Sequence, residues 1–127
     1  MRESITPENA VTMLLTEVPA FAEDWKRGQA MSSESPELRY LVFGDFGFFI
    51  NGLTNRIEET ATRKSLAQSF ALLNEMGQSS SLEVANLAQV GVFEVLSDSK
   101  ASVRVARELL TGKALDLFER TVRNWRE

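Results

Sequence analysis

Leu38, Val42, Phe46, Phe49, Leu53 and Ile57 follow one another at spacings of four, four, three, four and four. Those intervals stack side chains along one side of an α-helix, and Phe43 and Ile50 widen the stripe. A half-buried strand would alternate with a period of two. One helix is therefore expected from Pro36 to about Glu59. Further helices follow from the same period. Leu66, Phe70 and Leu73 point inward from a helix over about 62–76 that stops at Gly77. Val103, Ala106 and Leu110 do so over 99–111, with Gly112 as the stop. Leu115, Phe118, Val122 and Trp125 form the apolar face of a last helix from Lys113.

The segment SLEVANLAQVGVFEVLSD, 81–98, is different, because its apolar residues surround the axis almost completely. A helix that is apolar all round is a buried, central one. The β-branched run VGVFEV makes a buried strand the competing assignment, but the chain offers no second strand to pair with it.

Helix starts and breaks are marked by local chemistry. Thr6-Pro7-Glu8 and Ser35-Pro36-Glu37 each place a hydroxyl cap before a proline suited to the first helical position and an acid suited to the positive end of the dipole. Pro19 should break the first helical stretch near Val18, leaving a second segment through Phe21, Trp25 and Gly28, and AMSSES at 30–35 reads as a loop. Together these signals predict an all-α, single-domain bundle over 1–127, of about five to six helices, with a buried central helix near 82–97. No internal repeat, linker or low-complexity tract interrupts it.

Composition narrows the chemistry. With 127 residues and 43% apolar content the chain can bury a real core. It has neither histidine nor cysteine, which removes disulfides, thiol nucleophiles, the usual serine triads, histidine acid–base catalysis and histidine- or thiolate-based metal sites. Adjacent acids such as Glu58-Glu59 and Glu23-Asp24 diverge by about 100° on a helix and cannot jointly flank one bond. No catalytic residue, cofactor or metal is expected. Glu3, Glu8 and Asn9 interrupt any secretory h-region, and no apolar run reaches the roughly 20 residues of a membrane span. A cytoplasmic protein is expected. The net charge of −4 is uneven, with 14 acids against 7 bases in residues 1–99 and 4 against 7 in residues 100–127. Arg104, Arg107, Arg120 and Arg123 are the only basic cluster, diluted by Glu108, Asp116 and Glu119, so neither nucleic acid nor membrane is expected as a partner.

The stretch FGDFGFF, 43–49, carries the polar exceptions. Asp45-Phe46-Gly47 spells the magnesium-binding tripeptide of protein kinases, but the histidine-containing catalytic loop that must accompany it is missing. On a helical wheel Gly44, Gly47 and Asn51 gather with Tyr40 and Thr54, opposite the apolar stripe, as a groove that admits another backbone. Asp45 falls near Leu38, Leu41 and Phe49, on the apolar side. A carboxylate there should find a cation, and Arg56 projects in a similar direction three turns on, with Arg39, Arg63 and Arg104 as other candidates. Glu94 is the second acid in apolar surroundings, on a strip with Asn86 and Glu83.

Two segments, PELRYLVFGDFGFFI at 36–50 and EVANLAQVGVFEVLSD at 83–98, resemble small, largely uncharacterised bacterial all-helical proteins, some of them of the immunity type that neutralises toxins. The resemblance runs from residue 36 to about 120 and leaves out the first 35 residues. It implies that Gly44, Asp45, Asn86, Gly91 and Glu94 are pattern positions, with no catalytic role for any of them.

The expected function is a non-enzymatic protein-interaction domain, in its specific form an immunity-type inhibitor that covers a basic, toxin-like protein. The acidic N-terminal helices and the loop near 52–59 would supply the charge. The alternative is a small-ligand-binding or regulatory domain, with Tyr40, Asp45 and the glycine groove as a pocket wall. A homodimer through Phe48 is left open.

Overall fold

Pro19 splits the N-terminal helical stretch, as its missing N–H and fixed φ require. Helix α1 spans Ala10–Glu17, the chain leaves helical geometry at Val18 (φ −123°, ψ 77°), and α2 spans Pro19–Lys26. A computed structural model describes residues 4–26 and 36–126. The expected loop at 30–35, Gly28 and the Ser35 cap lie outside those residues, as does the side chain of Trp125. Thr6 closes the turn that leads into the first helix, whose N-cap position is Asn9, through a reciprocal pair. The Asn9 N–H donates to Thr6 Oγ1 (3.2 Å) and the Thr6 N–H donates to Asn9 Oδ1 (2.7 Å), with a turn over 7–9 before regular helix begins.

Helix α3 spans Pro36–Leu53 and α4 spans Thr60–Gly77. The single helix expected to reach Glu59 ends six residues early and tightens into a 3₁₀ turn over Thr54–Arg56. Side chains cause this. Thr54 Oγ1 and Asn55 Nδ2 both donate to the Asn51 carbonyl (2.9 and 3.4 Å), competing with the backbone ladder. Arg63 then donates to the carbonyls of Ile57 and Glu58 (3.3 and 2.9 Å), closing the connection. Ile57, counted in the stripe, is left 40% exposed.

Helix α5 is one continuous stretch whose middle is unusual: α-helical over Leu82–Asn86, π-helical over Leu87–Phe93 and α-helical again over Glu94–Leu96. Helices α6 (Lys100–Leu109) and α7 (Gly112–Arg126) complete seven helices among the described residues, slightly more than expected, and no described residue forms a strand. Gly112 does not simply end α6. Its φ of +54°, costly for other residues, lets the chain reverse directly into α7.

Helix α5 lies at the centre, packed most extensively on α3 and also touching α4 and α7. Leu87, Ala88, Val92, Phe93 and Leu96 are fully buried. The expectation of an all-round buried helix needs correction at two positions, since Leu82 is 82% and Val90 47% exposed. Phe21, Phe46 and Phe49 cluster on one side of the core, with Phe21 centred 5.2 and 5.4 Å from the other two rings, and Phe93 meets Phe118 edge-on at 5.3 Å on the other. Close approaches are made through glycine. A Cβ on Gly77 would come within 2.6 Å of the Ala114 Cβ, which fixes α4 against α7.

Candidate interaction surface

The contact between α3 and α5 decides which α3 residues face outward. Gly47 lies beneath Val95, where a Cβ would come within 2.9 Å of the Val95 Cβ, and Gly91 lies against Phe43, where a Cβ would meet the Phe43 Cβ at 2.7 Å. The glycine groove read from the wheel is therefore real and is occupied by α5. Asn51 continues the same seam. Its Nδ2 donates to the Val95 carbonyl (3.4 Å), its Oδ1 accepts from Ser102 Oγ, and Ser102 also lies 3.3 Å from Thr54 Oγ1. Gly47 and Asn51 thus serve packing.

With Val42, Phe43, Phe46 and Ile50 turned inward, the opposite stripe of α3 is Leu41, Asp45 and Phe48, at spacings of four and three. Leu41 is 59% and Phe48 66% exposed, and Val90 of α5 adjoins them. With Gly44 and Gly91 they line an open, shallow depression of about 330 Å³ between the two helices, with Tyr40 and Val95 at its margins.

Asp45 is on this outer stripe, not on the buried side where the wheel placed it. Of the neighbours that suggest a buried side, Leu41 is exposed and Leu38 and Phe49 are only half-buried. Asp45 has no hydrogen-bond or ion-pair partner among the described residues, so the expected arginine pairing is not observed. Arg39 bonds Glu83 (3.3 Å), Arg63 caps the loop carbonyls, and Arg56 is exposed in the 3₁₀ turn. Loss of water beside its neighbours pushes the Asp45 carboxyl above the ordinary carboxylate range. At the margin, burial first and the Glu83 carboxylate second push the half-buried Tyr40 phenol up.

Of the residues singled out from sequence, Tyr40, Gly44 and Asp45 come together here. Asn86 is exposed, Glu94 is half-buried, and neither lines the depression. The apolar members Leu41, Val90 and Val95 carry no sequence signal of exposure, although Leu41-Asp45-Phe48 at spacings of four and three is itself a helical stripe. Elsewhere, Lys100, Arg104 and Arg107 border a second depression of about 450 Å³, where Arg107 donates to both carboxylate oxygens of Glu119 (3.0 Å each). No described helix is long and apolar enough to cross a membrane.

Residues 11–126 match a family described as a domain of unknown function, DUF7674. The chain belongs to this family. The DUF7674 match takes in α1 and α2, which lay outside the resemblance drawn from residues 36 to 120, so the N-terminal helices are part of the family's domain. No curated protein and no solved structure matches the chain.

Proposed function

We propose that this DUF7674 domain is a non-enzymatic protein-interaction module that engages its partner through Leu41, Asp45 and Phe48 of α3 together with Val90 of α5. The observation that carries this reading is that Leu41, Phe48 and Val90, each 47% or more exposed, adjoin on one face. Large apolar side chains scattered singly on a surface need no explanation, whereas adjoining ones around a polar group mark an interaction site. The glycine groove, which motivated a small-ligand pocket, is filled by α5, and what remains is open and shallow.

The experiment is affinity purification of the full chain from cells of its source, as wild type and as Phe48→Ser, with circular dichroism to show that both are folded. A protein retained by the wild type and lost from Phe48→Ser supports the reading. Identical retention by both, or none by either, refutes it. An immunity-type inhibitor in the cytoplasm is the specific form of this proposal, supported by the resemblance of residues 36–50 and 83–98. In that form, co-expression of the wild type relieves the toxicity of its partner and co-expression of Phe48→Ser does not.

A further inference from the structure

We infer that the element covering this face is an amphipathic helix of a partner protein that presents a lysine or arginine to Asp45, with apolar residues one turn to either side of that cation. The inference rests on the interaction reading above and adds the chemistry of the partner. Both walls of the depression are helices, α3 and α5, and a helix pairs its backbone N–H and C=O groups internally. An extended peptide would find no free strand edge to pair with, so affinity has to come from side chains. An apolar helix laid into a groove between two helices is the recognition mode that needs only side chains. Leu41 and Phe48 are seven residues apart, about 10 Å along α3, which is the span of two turns of an incoming helix.

The charge of the face selects what that helix carries. Asp45 lies between Leu41 and Phe48 and has no partner among the described residues. An apolar surface laid over it would strand a carboxylate away from water. A cation satisfies it, and the apolar residues beside that cation fill the space around Leu41, Phe48 and Val90. A second copy of this chain fits less well. The residues lining the depression include Asp45 and no lysine or arginine, so two copies meeting through it would bring acid to acid and no base. The same carboxylate disfavours an anionic membrane surface.

The test is selection from a display library of helical peptides of about 18 residues, long enough to hold a helix in isolation. Selection is run in parallel on the full-length wild type and on Asp45→Asn, Asp45→Lys and Phe48→Ser, each checked for helical content. The expected result is a set of binders that require Phe48 and carry lysine or arginine at one fixed position, with apolar residues three or four positions away. They should bind Asp45→Asn about tenfold more weakly, and Asp45→Lys should select glutamate or aspartate at the same position. Binders that require Phe48 but carry a neutral residue there, and ignore Asp45→Asn, overturn the inference and leave the interaction face standing. An absence of Phe48-dependent binders overturns both. A wild-type dimer in sedimentation that Phe48→Ser dissociates gives the face to a second copy and overturns the inference.

Discussion

Replacing Gly91 with alanine tests the helix crossing on which the exposed face depends. Alanine is favoured over glycine inside a helix by about 1 kcal/mol. Against that gain, the new Cβ would stand 2.7 Å from the Phe43 Cβ, with Phe43 C at 3.6 Å and Gly44 N at 3.7 Å. The first contact is roughly 1 Å shorter than an ordinary carbon–carbon contact. Both atoms are Cβ atoms fixed to their backbones, so no side-chain rotation relieves the clash and the helices must separate. Overpacking of this kind costs about 1–3 kcal/mol, and the upper part of that range applies when backbone has to move. The net expectation is a loss of about 1–2 kcal/mol. Gly52 provides the control, because nothing lies within 4 Å of its added Cβ and the propensity gain of up to about 1 kcal/mol is unopposed. Urea titration followed by far-ultraviolet circular dichroism measures both variants, with an unchanged m-value required for a comparison of stability. Opposite signs are expected. A Gly91→Ala protein as stable as Gly52→Ala would refute the close approach of α3 and α5, and with it the placement of Val90 beside Leu41 and Phe48.

Three further outcomes follow from particular groups. The Asp45 carboxyl binds its proton more tightly in the fold than in the unfolded chain, so its contribution to stability falls as pH rises through the carboxylate range. Asp45→Asn should therefore match the wild type at low pH and exceed it near neutrality by no more than about 0.5 kcal/mol. A difference between the two that does not change with pH would contradict the partial desolvation of this carboxyl. Tyr40 is the only tyrosine, so ultraviolet difference titration reads it alone, and its midpoint should lie above the ordinary value of about 10 and return to it in denaturant. Glu83→Gln should lower that midpoint part of the way, since burial is the larger cause; no change would exclude the carboxylate's contribution. Asn74 donates to the Leu109 carbonyl (3.0 Å) and accepts from the Thr111 N–H (2.8 Å), pinning the turn between α6 and α7. Asn74→Ala should cost about 1–2 kcal/mol and speed amide exchange at Thr111; unchanged protection there would refute the link.

Local signals were the legible part of this fold. Pro19 ends α1 because a missing N–H acts wherever the chain goes, and Thr6 closes the turn before α1 because its partner Asn9 is three residues away. The α3 stripe was readable for the same reason, since spacings of three and four are set by the helix itself. Its end was not, because Thr54 and Asn55 turn back on the Asn51 carbonyl, a choice their composition permits but does not force. The π-helical centre of α5 is not legible in a segment that is apolar all round, because such a pattern carries no period that separates one helix type from another.

The candidate surface was half legible. Gly44 and Gly47 announced a close approach, and α5 supplies it. Which apolar residues stay outside was hidden, because Leu41 and Phe48 differ from Val42 and Phe43 only in where the neighbouring helices lie. Leu38, Leu41 and Phe49 suggest a buried side for Asp45, yet none of the three is fully buried, and the core-facing residues of α3 are Val42, Phe46 and Ile50.

The most direct measurement is site-specific photo-crosslinking in living cells, with a photoreactive phenylalanine analogue at position 48 and, separately, at the exposed position 67 on α4. A discrete adduct with one other protein from position 48, absent from position 67 and removed by Leu41→Ser, is the result expected of an interaction face on α3 and α5. Adducts of equal yield from both positions, or none from position 48 in cells that express the chain at its natural level, would contradict it.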